Sequence, residues 1–283
     1  METRVASATK EVVIGPEHPT VLVGERINPA GKKKLAQALV AGDLELVRAE
    51  AAAQAQAGAD ILDINVCTFG VDEAALLPQA VRAVMDAVDL PLCLDSTNAP
   101  ALAAALKVYQ GKALVNSVSG EQHSLDAVLP LVKEHGAAVV GLVQDDEGIP
   151  KTAERRVAIA HRIVERAEAL GIPREDVLID CLTLAVGADT TAGVAALETA
   201  QRVKNELGVN LLVAASNISF GLPDRSVLND AFVAMAIAAG VTCLIADAAR
   251  IRPIVLAADL VLDRDKRARR YIEAYRQRST ASH

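Results

Sequence analysis

ILDIN, residues 61–65, is an apolar run of strand length that ends on Asp63 and Asn65. Four more runs end in the same way: LCLDSTN at 92–98 (Asp95, Asn98), LVNS at 114–117 (Asn116), LIDC at 178–181 (Asp180) and VAASN at 213–217 (Asn217). Each is followed by a helical pattern, so the polar side chains stand where strands hand over to loops. In a parallel α/β barrel all such points share one rim, and ligands bind at that rim.

Working outward from these runs, strand-like segments alternate with helical ones eight times. The strands are expected at about 21–27, 61–66, 91–96, 113–118, 137–143, 177–182, 210–217 and 242–247. They are apolar throughout rather than alternating, as parallel strands buried on both faces are. Val157, Ala160, Val164, Ala167 and Gly171 fall on one helical stripe, with Arg155, Arg162, Glu165 and Arg166 away from it. Gly58, Gly136, Gly171, Gly208 and Gly240 stand just before strands, where a left-handed cap closes each helix. GERINPAGKK after the first strand has neither G-x-G-x-x-G nor a Walker loop, so a closed (β/α)8 TIM barrel is expected over a doubly wound sheet. Residues 1–283 show no linker or shift in composition and read as one domain. A last helix is expected over about 254–278, carrying DRDKRARR as a solvated face, or alternatively as a docking surface for an acidic partner.

Composition narrows the function. More than half of the 283 residues are apolar, yet there are three Phe, three Tyr and no Trp, which argues against aromatic stacking on single-stranded nucleic acid. A formal charge of −7 disfavours nucleic acid or an anionic membrane as the main partner. Four scattered cysteines without a C-x-x-C pair suit reduced, cytoplasmic thiols and not a zinc site. Residues 1–13 lack the apolar core of a signal peptide, and the uncharged stretch Ala231–Ala246 is Ala-rich, broken by Gly240, and short of the roughly 18 residues of a span. No membrane segment and no protein-bound metal are expected.

The rim chemistry is acidic and amide. A carboxylate accepts two hydrogen bonds side by side and matches a ring N–H beside an exocyclic amine; an Asn amide donates and accepts at once. A pterin, with its 2-amino-4-oxo edge, asks for this mixture. Asn98 is the natural N-cap of the following helix, and Asp63 suits an N-cap or rim hydrogen bond as well as a ligand. Asn116 and Asp180 interrupt apolar runs and need partners, a neighbour or a ligand equally. Lys32, Lys33 and Lys34 follow the first strand as a solvated cluster or as a site for an anionic ligand tail. The five histidines have no ligand spacing.

GERINPAGKK, DINV, LDSTN, VNS, GIPK, LIDCLTL and SNISFGLPDR, in this order and spacing, resemble the pterin-binding methyltransferases. These include the methyltetrahydrofolate:corrinoid-protein methyltransferases and the folate module of cobalamin-dependent methionine synthase. The resemblance implies a TIM barrel and a methyl transfer between tetrahydrofolate and a corrinoid cobalt carried by a separate protein, since no D-x-H-x-x-G signature is present. It implies that Asp95, Asn116 and Asp180 hydrogen-bond the pterin edge; Asp63 and Asn65 join the expected substrate site from their place at the rim. It places Asn217 near the methyl-bearing nitrogen as the catalytic residue and adds Arg225 to the substrate site. It also implies a homodimer. Two departures stand out: Cys67 replaces the Gly of the D-x-N-V-G form, and LIDCLTL differs from the D-P-L form of some members. A dihydropteroate synthase is the first alternative, but IADAAR at 245–250 lacks that enzyme's Arg-x-His. A non-catalytic folate-binding module is the second.

Overall fold

Parallel strands that bury both faces must be covered outside by helices and filled inside by side chains, and closure removes their edges. The computed structural model, which describes residues 1–281, has this arrangement. Its strands are β1 (Thr3–Ala6), β2 (Glu11–Ile14), β3 (Val21–Ile27), β4 (Ile61–Ile64) and β5 (Leu92–Asp95), then β6 (Leu114–Ser119), β7 (Ala138–Leu142), β8 (Val177–Asp180), β9 (Asn210–Ala214) and β10 (Cys243–Ala246). The eight from β3 to β10 close into a parallel barrel, β10 pairing with β3. The TIM barrel read from the sequence is the fold.

The helices are α1 (Lys33–Val40), α2 (Glu45–Gln56), α3 (Glu73–Ala87), α4 (Ala99–Val108) and α5 (Gln122–His135). They continue with α6 (Ala153–Ala169), α7 (Ala192–Leu207), α8 (Arg225–Ala239), α9 (Ala248–Val261) and α10 (Arg269–Ala281). Gly136, Gly208 and Gly240 end α5, α7 and α8 with φ of 60°, 68° and 113°, a conformation closed to most L side chains. No helix among the described residues is long and apolar enough to cross a membrane.

Two segments depart from the sequence reading. The helix expected over 254–278 is two helices. Asp263, Arg267 and Ala268 take positive φ between α9 and α10, and the Asp265 carboxylate accepts the backbone N–H groups of Arg270 (3.0 Å) and Tyr271 (2.9 Å), starting the second helix. Nor is DRDKRARR wholly solvated, because Arg264 and Arg270 reach the fully buried Asp259 at 3.7 and 3.5 Å. The other departure is an antiparallel hairpin, β1–β2, where the sequence suggested no element.

That hairpin matters to the site. Its Val5 and Ile14 join one buried cluster with Val21, Val23, Ile61, Cys93, Leu114, Val140, Leu178, Leu212 and Ile245, the residues that fill the barrel lumen. It therefore plugs the N-terminal mouth. Asn210, at the start of β9, fastens the plug. Its Nδ2 donates to Thr3 Oγ1 (3.0 Å) and Ile14 O (2.9 Å), and its Oδ1 accepts from Thr242 Oγ1 (3.1 Å). Replacing Asn210 by Ala leaves buried groups without partners and is expected to cost about 2–3 kcal/mol. The check is the midpoint of urea unfolding, which falls while the slope stays constant.

Candidate active site

Side chains two residues apart on a strand share a face, so the lumen register continues upward past the last apolar layer. Two residues beyond Val23 stands Glu25. Beyond Ile61 come Asp63 and then Asn65; beyond Cys93, Asp95; beyond Leu114, Asn116; beyond Leu178, Asp180; beyond Ile245, Asp247. The open, C-terminal mouth of the barrel is thus lined by carboxyls and amides above an apolar floor.

On β4, β5 and β6 these groups touch. Asn65 Nδ2 donates to Asp95 at 2.9 Å, while its Oδ1 accepts the Cys67 N–H at 2.8 Å. The Asn116 amide donates to Asp63 at 3.4 Å. Asp63 is 2 % exposed and caps no helix, so the N-cap alternative is overturned: its place in the lumen register carries it inward. Burial first, and then the neighbouring Asp95, push its carboxyl well above the usual range. Asp95 is raised too, by burial above all, with the Asn65 amide acting against the shift. One proton held between adjacent carboxyls relieves their repulsion. Asn98 caps α4 as expected, accepting from the Ala101 N–H at 3.3 Å.

Asp180 lies across the lumen on β8. Burial raises its pKa to about 7, opposed by the Leu182 N–H that donates to it (2.8 Å) and by the Arg156 charge. Arg156 was not recognised from the sequence. It is wholly buried and donates to the carbonyls of Pro150 (2.8 Å), Cys181 (3.0 Å) and Leu182 (2.8 Å). It so ties α6 to the turn that presents Asp180. Its signal was present, since Arg156 sits between Ala153 and Ala160 on the buried stripe of α6, where an unpartnered cation is not tolerated.

Asn217 does not end a strand. β9 stops at Ala214, and a 3-10 turn, Ala215–Ser219, carries Asn217 exposed over the rim. Arg225, at the start of α8, fastens this turn, donating from Nε to Ser219 Oγ (3.0 Å) and from Nη2 to the Ser216 carbonyl (2.7 Å). Its guanidinium also lies 5.9 Å from the Phe220 ring centre. Arg225 accordingly positions Asn217.

Beside Asn217 opens a cavity of about 460 Å³ whose lining includes Glu25, Arg26, Lys32, Arg225, Asn229 and Arg250. Of the lysine cluster only Lys32 turns inward, its Nζ donating to the Arg26 carbonyl at 2.8 Å; Lys33 and Lys34 are exposed. Glu25 is raised by burial first, with the Lys32 charge acting against the shift, and it adds to the field at Asp63. Cavity and lumen ring are therefore neighbours at one mouth. Asp95, Asn116, Asp180 and Asn217 all belong to it, the first three in the lumen and the last on its lip. No group of His, Cys, Asp and Glu suited to a metal ion occurs among the described residues.

Comparisons with known proteins bear on what this mouth is for. Residues 24–247, from β3 to the end of β10, match the pterin binding enzyme family. The methylcorrinoid:tetrahydrofolate methyltransferase of Eubacterium limosum is 30 % identical over 267 residues, covering 91 % of this chain and 96 % of that protein. The methionine synthase of Mycobacterium leprae (strain TN) is 32 % identical over 284 residues. That match covers 93 % of this chain, which spans only about a quarter (24 %) of the synthase. Among solved structures, the dihydropteroate synthase of Xanthomonas albilineans in complex with 7,8-dihydropteroate superposes with a TM-score of 0.70 at 22 % identity, over 92 % of this chain and 98 % of that one. The Yersinia pestis synthase with a pterine-sulfa conjugate gives 0.68 at 16 %, covering 92 % and 98 %. At these identities the likeness concerns the barrel.

An Asp180 pKa of about 7, against about 3.9 in an unfolded chain, means that the folded state binds this proton more tightly. The buried charge then destabilises the protein above pH 7, and the penalty fades as pH falls towards 4. Asp180→Asn keeps an acceptor for Leu182 and is expected to raise the free energy of unfolding at pH 8 by on the order of 3 kcal/mol, and to leave it nearly unchanged at pH 4. Calorimetry at the two pH values measures the difference.

Proposed function

The chain belongs to the pterin binding enzyme family, and from that premise we propose that it moves a methyl group between methyltetrahydrofolate and the cobalt of a separate corrinoid protein. The observation that carries this reading is the polar layer in the lumen: acceptors and amides from four strands, held over an apolar floor, opposite an exposed Asn217. A reading that names the reaction also draws on the Eubacterium relative, which this chain matches across nearly its whole length.

In this assignment Asp95 and Asp180 accept from the ring N–H and exocyclic amine of the pterin. Asn116 completes the edge, donating to the ring carbonyl. Asn65 stands behind Asp95 and Asp63 behind Asn116, and each fixes its neighbour's position through the contacts already described. An apolar floor suits the flat ring. A buried carboxylate that meets two ligand N–H groups regains part of the solvation it lost on burial, so the cost of Asp180 is offset when pterin binds.

The transfer is an in-line displacement, in which the bond between nitrogen and methyl breaks as the bond between cobalt and methyl forms. A tertiary amine is a poor leaving group unless its nitrogen gains a proton. Asn217 has no acidic proton; it stabilises the protonated amine by accepting its N–H, with the proton delivered through water. The protein then acts by positioning and electrostatics. The lip stays open on this side, which leaves the corrinoid protein access from above. The same reading takes the whole chain as one pterin-binding unit, working in the cytoplasm as a homodimer.

Asn217→Ala is expected to lower single-turnover transfer from methyltetrahydrofolate to free cob(I)alamin by about 10²–10³-fold, while the folate Kd stays within threefold. Loss of cob(I)alamin absorbance gives the rate. Parallel losses of rate and affinity, or no loss, would remove Asn217 from the chemistry. A wild-type protein that binds the folate but methylates neither free cob(I)alamin nor any purified corrinoid protein would refute the reading as a whole.

A further inference from the structure

Four cations line the cavity beside Asn217, and three of them are committed. Arg26 pairs with Glu50 at 3.3 Å, Lys32 donates to the Arg26 carbonyl at 2.8 Å, and Arg225 fastens the 3-10 turn. Arg250 differs: among the described residues its guanidinium has no ion pair and no hydrogen bond. It stands in the first turn of α9, where the helix dipole disfavours a cation. Nothing about the fold requires an arginine there. Across the same cavity, the side-chain carbonyl of Asn229 on α8 is buried without a partner. A residue with an uncommitted guanidinium and one with an uncommitted acceptor line the same cavity.

The ligand chemistry that fits both is an acid joined to an amide: a carboxylate for Arg250 and an N–H for Asn229. Resting on the methyl-transfer reading, the substrate supplies that combination in a fixed place. The carbon that bears the aminobenzoyl-glutamate arm of methyltetrahydrofolate adjoins the methyl-bearing nitrogen. With the ring in the lumen and that nitrogen at Asn217, the arm must leave the lumen on the Asn217 side. We propose that the cavity between α8 and α9 is the folate-tail subsite, in which Arg250 holds the glutamate carboxylates and Asn229 accepts the amide N–H. Three carboxyls, Glu25, Asp230 and Asp247, share the lining with the four cations. Glu25 is pushed towards its neutral form by burial, and one Asp247 oxygen accepts from the Ala249 N–H (3.1 Å) and the Gln54 amide (3.2 Å), so positive charge prevails in the wall. Lys32, inside the same wall, adds a second positive charge. A tail with several glutamates gains most from such a wall.

The test compares ligands in the absence of any corrinoid protein. Affinities of wild type, Arg250→Ala and Arg250→Lys are measured by calorimetry for methyltetrahydrofolate, its triglutamate, and the tail-less N5-methyl-6-methyltetrahydropterin. Arg250→Ala is expected to weaken the folate about tenfold more than the tail-less pterin, the triglutamate more still, and the excess should shrink as salt is raised. Arg250→Lys is expected to recover part of it, and Asn229→Leu to weaken the folate more than the pterin. Equal weakening of all three ligands, or none, would overturn the subsite. So would a defect that emerges only when a corrinoid protein is added, since the guanidinium would then meet the partner. Transfer from the tail-less pterin to cob(I)alamin by wild type tests the reaction separately, so the two failures can be told apart.

Discussion

A closed parallel barrel dictates where every second side chain of its strands points, and the chemistry of this protein follows from that constraint. Below the mouth the inward positions are Val, Ile, Leu and Cys, and they meet in one cluster sealed by the β1–β2 hairpin. One step higher the same register delivers Glu25, Asp63, Asp95, Asn116, Asp180 and Asp247 to the open end. The floor supplies low dielectric and the next layer supplies charge. Neither would act alone, because carboxyls in water have ordinary pKa values and an apolar pit has no orientation to offer a ring.

The arrangement is costly for folding, and the structure shows where the cost is contained. Asp63 and Asp95 lean on two amides; Asp180 has one backbone N–H and a buried arginine behind it. These supports are fewer than the lone pairs they face, so each carboxyl stays raised. Incomplete satisfaction in an otherwise close-packed barrel is the expected mark of a site waiting for donors. The plug end behaves in the opposite way. Asn210 has all its polar atoms engaged, and it serves closure alone.

Much of this was legible in the residues. Continuous apolar runs ending on Asp or Asn gave the barrel, its rim and the lumen residues Asp95, Asn116 and Asp180, because strand length and burial on both faces leave a strong local signature. What escaped depended on contacts distant in sequence. The hairpin consists of two four-residue strands whose apolar sides are defined only by the lumen they plug. The break before α10 has no glycine or proline, and hinges on one carboxylate, Asp265, accepting two N–H groups. Asp63 ends a strand, where the sequence favours an N-cap or rim hydrogen bond over a ligand, and barrel register turned it into the lumen instead. Arg156 was hidden by its neighbours, a cation among charged residues whose helical phase alone sets it apart.

The mouth is divided, and the division carries directional information. The lumen half is acidic and deep, and offers mainly acceptors; the lip half holds Arg26, Lys32, Arg225 and Arg250 around an open cavity. Between them stand Glu25, which feels both fields, and the turn that carries Asn217. A ligand with donors at one end and acids at the other can enter in one orientation only, since reversal would set carboxylate against carboxylate. On the proposed reading, that polarity is what brings the methyl-bearing nitrogen, which lies between the two ends of a folate, to the boundary where Asn217 stands. Orientation is then achieved by the separation of charge types across the rim rather than by a tight steric mould. That is consistent with an aromatic-poor chain whose exposed Phe69 and Phe220 lie in loops that follow β4 and β9 at the open mouth.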